Sequence, residues 1–246
     1  MSLRRHVLMV AATTAVLMCA GLLSGRTGVE HASAWTEPVQ GRTSATTQPT
    51  PPNVVMIVVD DMRADELRWM PRARRLIGGQ GVRFVNSFAP YPLCCPARAS
   101  YFTGQYTHNH RVFDVKEPYA FPALDDRSTL ATWLREAGYR TNLVGKYMNG
   151  YGRLPERGTD TGDSLDYVPP GWSNWRASLE NGALPRSHPD YGHGYLYFNT
   201  TLSRNGHGFR NYRGQYQSEV YGDISTRIIR RQAAFEAPFF LYASYT

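Results

Sequence analysis

The pair Cys94-Cys95 runs straight into Pro96-Ala97-Arg98, so a thiol stands where a helix begins and a guanidinium stands one turn further on. Pro96 suits a first helical turn, because its missing N–H would be an orphan there and its φ is already helical. Unpaired amides and the positive end of the macrodipole make such a start a seat for an anion, and the same field is expected to lower the pKa of Cys94. Arg98 adds a fixed planar charge that can orient a nucleophile or accompany charge building on an oxyanion. The pair also admits a vicinal disulfide, a soft-metal site or two buried inert thiols. Adjacent cysteines close a strained ring. A soft-metal site wants further partners, and the remaining cysteine is Cys19, far upstream.

Three other groups have chemistry in reach. Asp60-Asp61 ends an apolar run, and two adjacent carboxylates repel unless a cation or solvent separates them; hard oxygens of this kind suit Ca²⁺ or Mg²⁺. An acidic turn after a strand is the plain alternative. Lys146, in Gly145-Lys146-Tyr147-Met148-Asn149, places a compact ammonium at another strand end, where it can neutralise an ester oxygen or simply be a surface lysine. His108 and His110 could flank a substrate, as could Asn149, although histidines spaced this way also serve as hydrogen-bonding loop residues.

These groups need a scaffold, and the apolar patterning supplies one. Val54 to Val59 is a continuous apolar run, mostly β-branched, which predicts a strand buried on both faces of a parallel sheet. A helical stretch is predicted around Pro71 to Ile77, an extended one over Val82 to Phe88, and a helix capped by Ser128 that carries Leu130, Trp133, Leu134 and Ala137. Arg140 to Val144 reads as the next strand. Tyr216 to Phe235 can form a long helix with Val220, Ile224 and Ile228 on one face, before Pro238 to Ala243 resumes a buried strand. Strands alternating with helices imply an α/β sandwich, and ligands of an open parallel sheet collect beyond the carboxyl ends of its strands, where Asp60 and Asp61 lie. The stretch from Tyr147 to Arg213, rich in Gly, Pro, Asn, Tyr and Trp, is expected to be long loops and short strands over the sheet edge.

The first residues carry a different signal. Arg4-Arg5, an apolar run from Val7 to Leu23 and Ala32-Ser33-Ala34 follow the order of a secretory signal peptide over 1–34, loosely compatible with twin-arginine export. Residues 35–52 are rich in Thr, Pro, Gln and Ser and are expected to be a disordered linker. The reading is therefore a secreted or periplasmic protein with no stable membrane span after processing. The net charge of +7 on 246 residues suits a polyanionic substrate or plain solubility, and beyond that charge nothing points to nucleic acid. One sizeable core, over 53–246, is expected.

Cys94-Cys95-Pro96-Ala97-Arg98-Ala99-Ser100, Thr103-Gly104-Gln105-Tyr106, His108-Asn109-His110 and Gly145 to Asn149 together resemble the sulfatases, in the branch that holds N-acetylglucosamine-6-sulfatases and extracellular heparan endosulfatases. Val168 to Trp175 and Thr201 to Gly206 are similar to the same branch. The resemblance implies an alkaline-phosphatase-like fold with a mostly parallel central sheet between helices. It also implies conversion of Cys94 to formylglycine by a formylglycine-generating enzyme, and a sulfuric ester hydrolase acting on sulfated carbohydrate. Cys94, Arg98 and Lys146 would be catalytic, and Asp60, Asp61 and residue 94 would bind calcium. Met148 stands where many sulfatases have a histidine. The family's second Asp-Asn or Asp-His metal pair and further lysine would fall beyond Thr246, so 53–246 corresponds to the N-terminal part of such a domain, with the C-terminal part missing. Phosphate or phosphonate monoester hydrolysis, and non-catalytic polyanion binding, are the alternatives.

Overall fold

The computed structural model describes residues 51–192 and 194–246. The expected leader over 1–34, with Arg4-Arg5 and Cys19, and the expected linker up to Thr50 lie outside the described residues. In chain order the elements are β1 (Val54–Val59), a 3-10 turn (Ala64–Trp69), α1 (Pro71–Ala73) running into a wide turn (Arg74–Gly78), α2 (Cys94–Thr103) and α3 (Thr107–His110). After a 3-10 turn (Phe121–Ala123) come α4 (Leu130–Glu136), β2 (Arg140–Gly145), β3 (Asn174–Ala177), β4 (Asn199–Ser203), β5 (Phe209–Arg213), α5 (Gln217–Gln232) and β6 (Phe239–Tyr245). No helix among the described residues is long and apolar enough to cross a membrane.

The central sheet has the order β1-β6-β2-β3 and is parallel throughout, whereas β4 and β5 pair antiparallel as a separate hairpin. The last strand thus lies between the first and second, with Val59 opposite Tyr245 and Gly145 opposite Ser244. Alternation along β2 and β6 sends side chains to two cores. Leu143, Phe240 and Tyr242 face Cys95, Ala99 and Phe102 of α2, together with Trp172 and Trp175. Val144, Leu241 and Ala243 face Val220, Ile224 and Ile228 of α5. This is the expected mixed α/β fold, a parallel sheet between helical layers.

Several expectations change in detail. β1 is not buried on both faces: among the described residues it is an edge strand with β6 alone beside it, and Val55 and Ile57 are 44% and 51% exposed. Residues 82–88 form no strand, and Val82, Phe84, Val85 and Phe88 are exposed. Thr129, not Ser128, caps α4, in a reciprocal box where the Thr129 N–H donates to Thr132 Oγ1 (2.9 Å). Ser128 instead accepts from Trp133 Nε1. The 147–213 stretch contributes more than edge cover, since β3 extends the sheet and Tyr147, Tyr151, Trp172 and Trp175 fill the core beneath it.

Gly145 shows how tightly the carboxyl end of β2 is built. Its φ is +98°, and a Cβ there would collide with the Ser244 carbonyl oxygen, which accepts the next N–H, that of Lys146, at 3.0 Å. Gly145→Ala is expected to cost about 3 kcal/mol through overpacking plus positive-φ strain. A lowered urea midpoint at unchanged slope is the check; a wild-type midpoint would show the strand end to be plastic.

Candidate active site

Asp60 is the first residue past β1, yet its N–H still donates to Tyr245 O (2.9 Å), so β6 fixes its direction. Asp61 follows with φ +54°, a left-handed conformation that aspartate tolerates better than most residues, and this turns the chain sharply away with the Asp61 carboxylate exposed. Lys146 is the first residue past β2 and is 5% exposed. Cys94 opens α2 after Leu93, which is extended (φ −140°, ψ 146°), and Pro96 lies in the first turn. Arg98, four residues on, falls on the same face of α2.

These elements bring four side chains into one cluster. Lys146 Nζ donates to Asp60 Oδ2 (2.5 Å) and lies 3.5 Å from Cys94 Sγ, which itself is 3.6 Å from Asp60 Oδ2. Arg98, 1% exposed, donates through one terminal nitrogen to Asp60 Oδ1 (3.0 Å). Its other terminal nitrogen donates to Lys146 O (2.9 Å), Tyr242 Oη (3.1 Å) and Ser244 Oγ (2.7 Å). One guanidinium therefore ties β1, β2 and β6 together at their carboxyl ends. Ligand atoms of Asp60, Asp61 and Cys94 all lie within 4.8 Å of one another.

Electrostatics follow from this packing. Burial alone would raise the Asp60 pKa, but the charges of Arg98 and Lys146, with their hydrogen bonds, hold it below its ordinary value. Cys94 moves opposite to the sequence expectation: burial raises its pKa, with Asp60 and Asp61 adding to the rise, and Lys146 only partly opposes them. Burial, more than the two carboxylates that converge from β1, sets this direction. Cys95 is pushed up to about 12, chiefly by burial.

Other expected residues sit differently. Cys94 and Cys95 are both free thiols, so no vicinal disulfide forms. Buried Cys95 does more than separate Cys94 from Pro96: its sulfur accepts from the Asn149 N–H (3.2 Å) and lies 3.4 Å from Asn149 Oδ1, pinning the loop that carries Lys146. His110 is 6% exposed; its Nδ1 accepts from the Val112 N–H (3.1 Å), so Nε2 carries the proton and donates to Ser100 Oγ (3.1 Å). Burial, then the charge of His108, lowers its pKa. His108 stacks on Tyr106 in α3's approach. Among the described residues, neither histidine nor Asn149 shares a hydrogen bond with the Asp60 cluster.

Tyr242, Ser244 and Tyr195 join the cluster without having been singled out in the sequence. Tyr242 and Ser244 are two apart on a strand and so share the face toward α2, a signal available once the last strand is known to lie beside β1. The Tyr195 ring, 5.4 Å from Lys146 Nζ, comes from an irregular loop and had no such signal.

Comparison with known proteins identifies relatives for this arrangement. The family model described as "Sulfatase" matches residues 52–246. The chain is 35% identical over 213 residues to human N-acetylglucosamine-6-sulfatase, covering 77% of this chain and 33% of that one. It is 32% identical over 188 residues to the extracellular sulfatase SULF-1 homolog of Drosophila melanogaster, covering 73% and 14% respectively. A solved structure described as bound to its substrate D-glucosamine-2-N,6-O-disulfate superposes with a TM-score of 0.57 at 20% identity, covering 79% of this chain and 34% of that one. The chain thus spans a third or less of the length of these curated relatives.

Proposed function

Since this chain belongs to the sulfatase family, we propose that the protein hydrolyses sulfuric esters of sulfated sugars at the cluster formed by Cys94, Asp60, Asp61, Lys146 and Arg98. The observation that carries this reading is the convergence of a helix-start residue, a lysine and an arginine on one carboxylate at the carboxyl ends of parallel strands. Asp60 and Asp61 offer hard oxygens that fit a calcium or magnesium ion, whereas the Cys94 sulfur is too soft for either. That donor set becomes uniform when residue 94 presents oxygen, as formylglycine would.

The ion would supply positive charge facing the sulfuryl oxygens. Formylglycine, as its hydrate, would supply two hydroxyls on one carbon, one to attack sulfur and one to expel sulfate. Lys146 holds its ammonium between Asp60 and residue 94, where it keeps that side chain oriented and can meet an anionic ester oxygen. Arg98 acts through Asp60, because its terminal nitrogens are spent on Asp60, Tyr242, Ser244 and the Lys146 carbonyl. The Tyr195 ring beside Lys146 limits the ammonium's freedom. Export through a cleaved leader and maturation by a formylglycine-generating enzyme complete this reading, with 53–246 belonging to the catalytic domain.

The test is mass spectrometry of the peptide spanning Cys94, from protein made in a host with the converting enzyme, alongside assays on aryl sulfate and aryl phosphate. An aldehyde at residue 94 and preference for sulfate are expected. An unmodified thiol with no turnover, or preference for phosphate, would overturn the assignment.

A further inference from the structure

A large concavity lies away from the Asp60 cluster. It is a cavity of about 1220 Å³ that begins at the amino ends of β2 and β3 and continues along β3 between the β4–β5 hairpin and α5. Arg140, at its wall, opens β2, whereas Lys146 follows that strand's other end. Six residue steps along a strand separate the two, roughly 20 Å.

Arginine dominates the lining. Arg135 lies in the last turn of α4 and Arg140 begins β2; Arg176 projects from β3, Arg204 and Arg210 from the hairpin, and Arg227 and Arg231 from successive turns of α5. Among the described residues no aspartate or glutamate lines the cavity, and none of these arginines makes an ion pair. Their neighbours are neutral: Arg135 donates to Ser173 Oγ (2.8 Å) and Arg140 to Gln232 Oε1 (3.3 Å). Arg140 stacks 3.6 Å over the Phe235 ring and Arg210 4.8 Å over Tyr212. Burial lowers the pKa of Arg176; Tyr212 opposes that shift and the charge of Arg204 adds to it.

Seven cations from five elements around one concavity repel one another in the free protein, and an anion entering it relieves that repulsion. Guanidinium forks match tetrahedral oxyanions in two-point geometry. Stacking on Phe235 and Tyr212 orients two of the guanidinium planes and occupies rings that a nucleic acid would need for its bases. We propose that this cavity is a second anion site, for an oligosaccharide bearing several sulfate groups, remote from the cluster around Asp60. The choice of a sulfated sugar over other oligoanions rests on the sulfatase reading; the anion site itself does not.

The test is titration of the full chain with a heparin-derived octasaccharide at several salt concentrations, for wild type and for Arg204→Gln/Arg210→Gln. The dissociation constant of the double variant is expected to rise roughly tenfold per arginine lost. Its slope of log affinity against log salt should fall by nearly one per arginine. The double variant should keep aryl sulfate turnover. Unchanged affinity in the double variant overturns the site, and competition by single-stranded DNA at equal charge concentration overturns the choice of a sulfated sugar as its ligand. Turnover of aryl sulfate reads the reaction separately, so a protein with turnover but no arginine-dependent binding refutes the cavity assignment and leaves the sulfatase reading standing.

Discussion

Asp60→Asn is expected to lower the unfolding free energy by about 3–5 kcal/mol. The side chains of Arg98 and Lys146 are 2% and 6% exposed, and the Asp60 side chain, 11% exposed, pairs with both. Asparagine keeps the shape and one accepting oxygen but removes the charge, leaving two cations in a site that excludes water. Denaturant unfolding should show the loss as a lower midpoint, and adding Lys146→Met should recover part of it by removing one stranded charge. A wild-type midpoint for Asp60→Asn would disprove the ion-pair account. The pH dependence has a definite sign. Because the folded pKa of Asp60 lies below its ordinary value of 3.8, its contribution is complete above that value and disappears as pH falls through the lower, folded one. Asp60→Asn should lack this part of the acid-side loss.

For the mature protein, Cys94→Ala should reduce aryl sulfate turnover by roughly 10⁴- to 10⁶-fold. Stability should change little, within about 1 kcal/mol, because the half-buried Cys94 sulfur makes only long contacts, to Asp60 (3.6 Å) and Lys146 (3.5 Å). The two readouts together separate a lost nucleophile from a lost fold. Cys94→Ser sharpens the point. Serine offers one hydroxyl where formylglycine hydrate offers two, so it could accept sulfate but has no second hydroxyl to expel it, and at most one equivalent of product per chain is expected. Steady turnover by either variant would refute the role of residue 94.

Local spacing made part of this legible in the sequence. The four-residue spacing from Cys94 to Arg98 puts both on one helix face, and the apolar runs before Asp60 and Gly145-Lys146 marked strand ends at which ligands of parallel sheets gather. The alternation of strands and helices carried the fold class. What escaped depended on partners distant along the chain. Nothing within 54–59 shows that β1 is an edge strand, since apolar runs look alike whether one neighbour or two will flank them. The raised thiol pKa has no local sign, because the helix start is local whereas the burial that raises it, and the Asp60 and Asp61 charges that add to it, come from packing between segments distant in the chain. The arginine cavity was invisible because its members are scattered from 135 to 231 on five elements.

The four-way grip of Arg98 has a consequence for how the protein comes into being. Its partners lie 38 residues behind it and 48, 144 and 146 residues ahead. Contacts of such separation form late, after the intervening loops have paid their closure entropy. A nascent chain that has not yet released β6 from the ribosome carries the thiol, the lysine and the carboxylates but has no clamp to assemble them. Assembly of this cluster therefore waits on the release of β6.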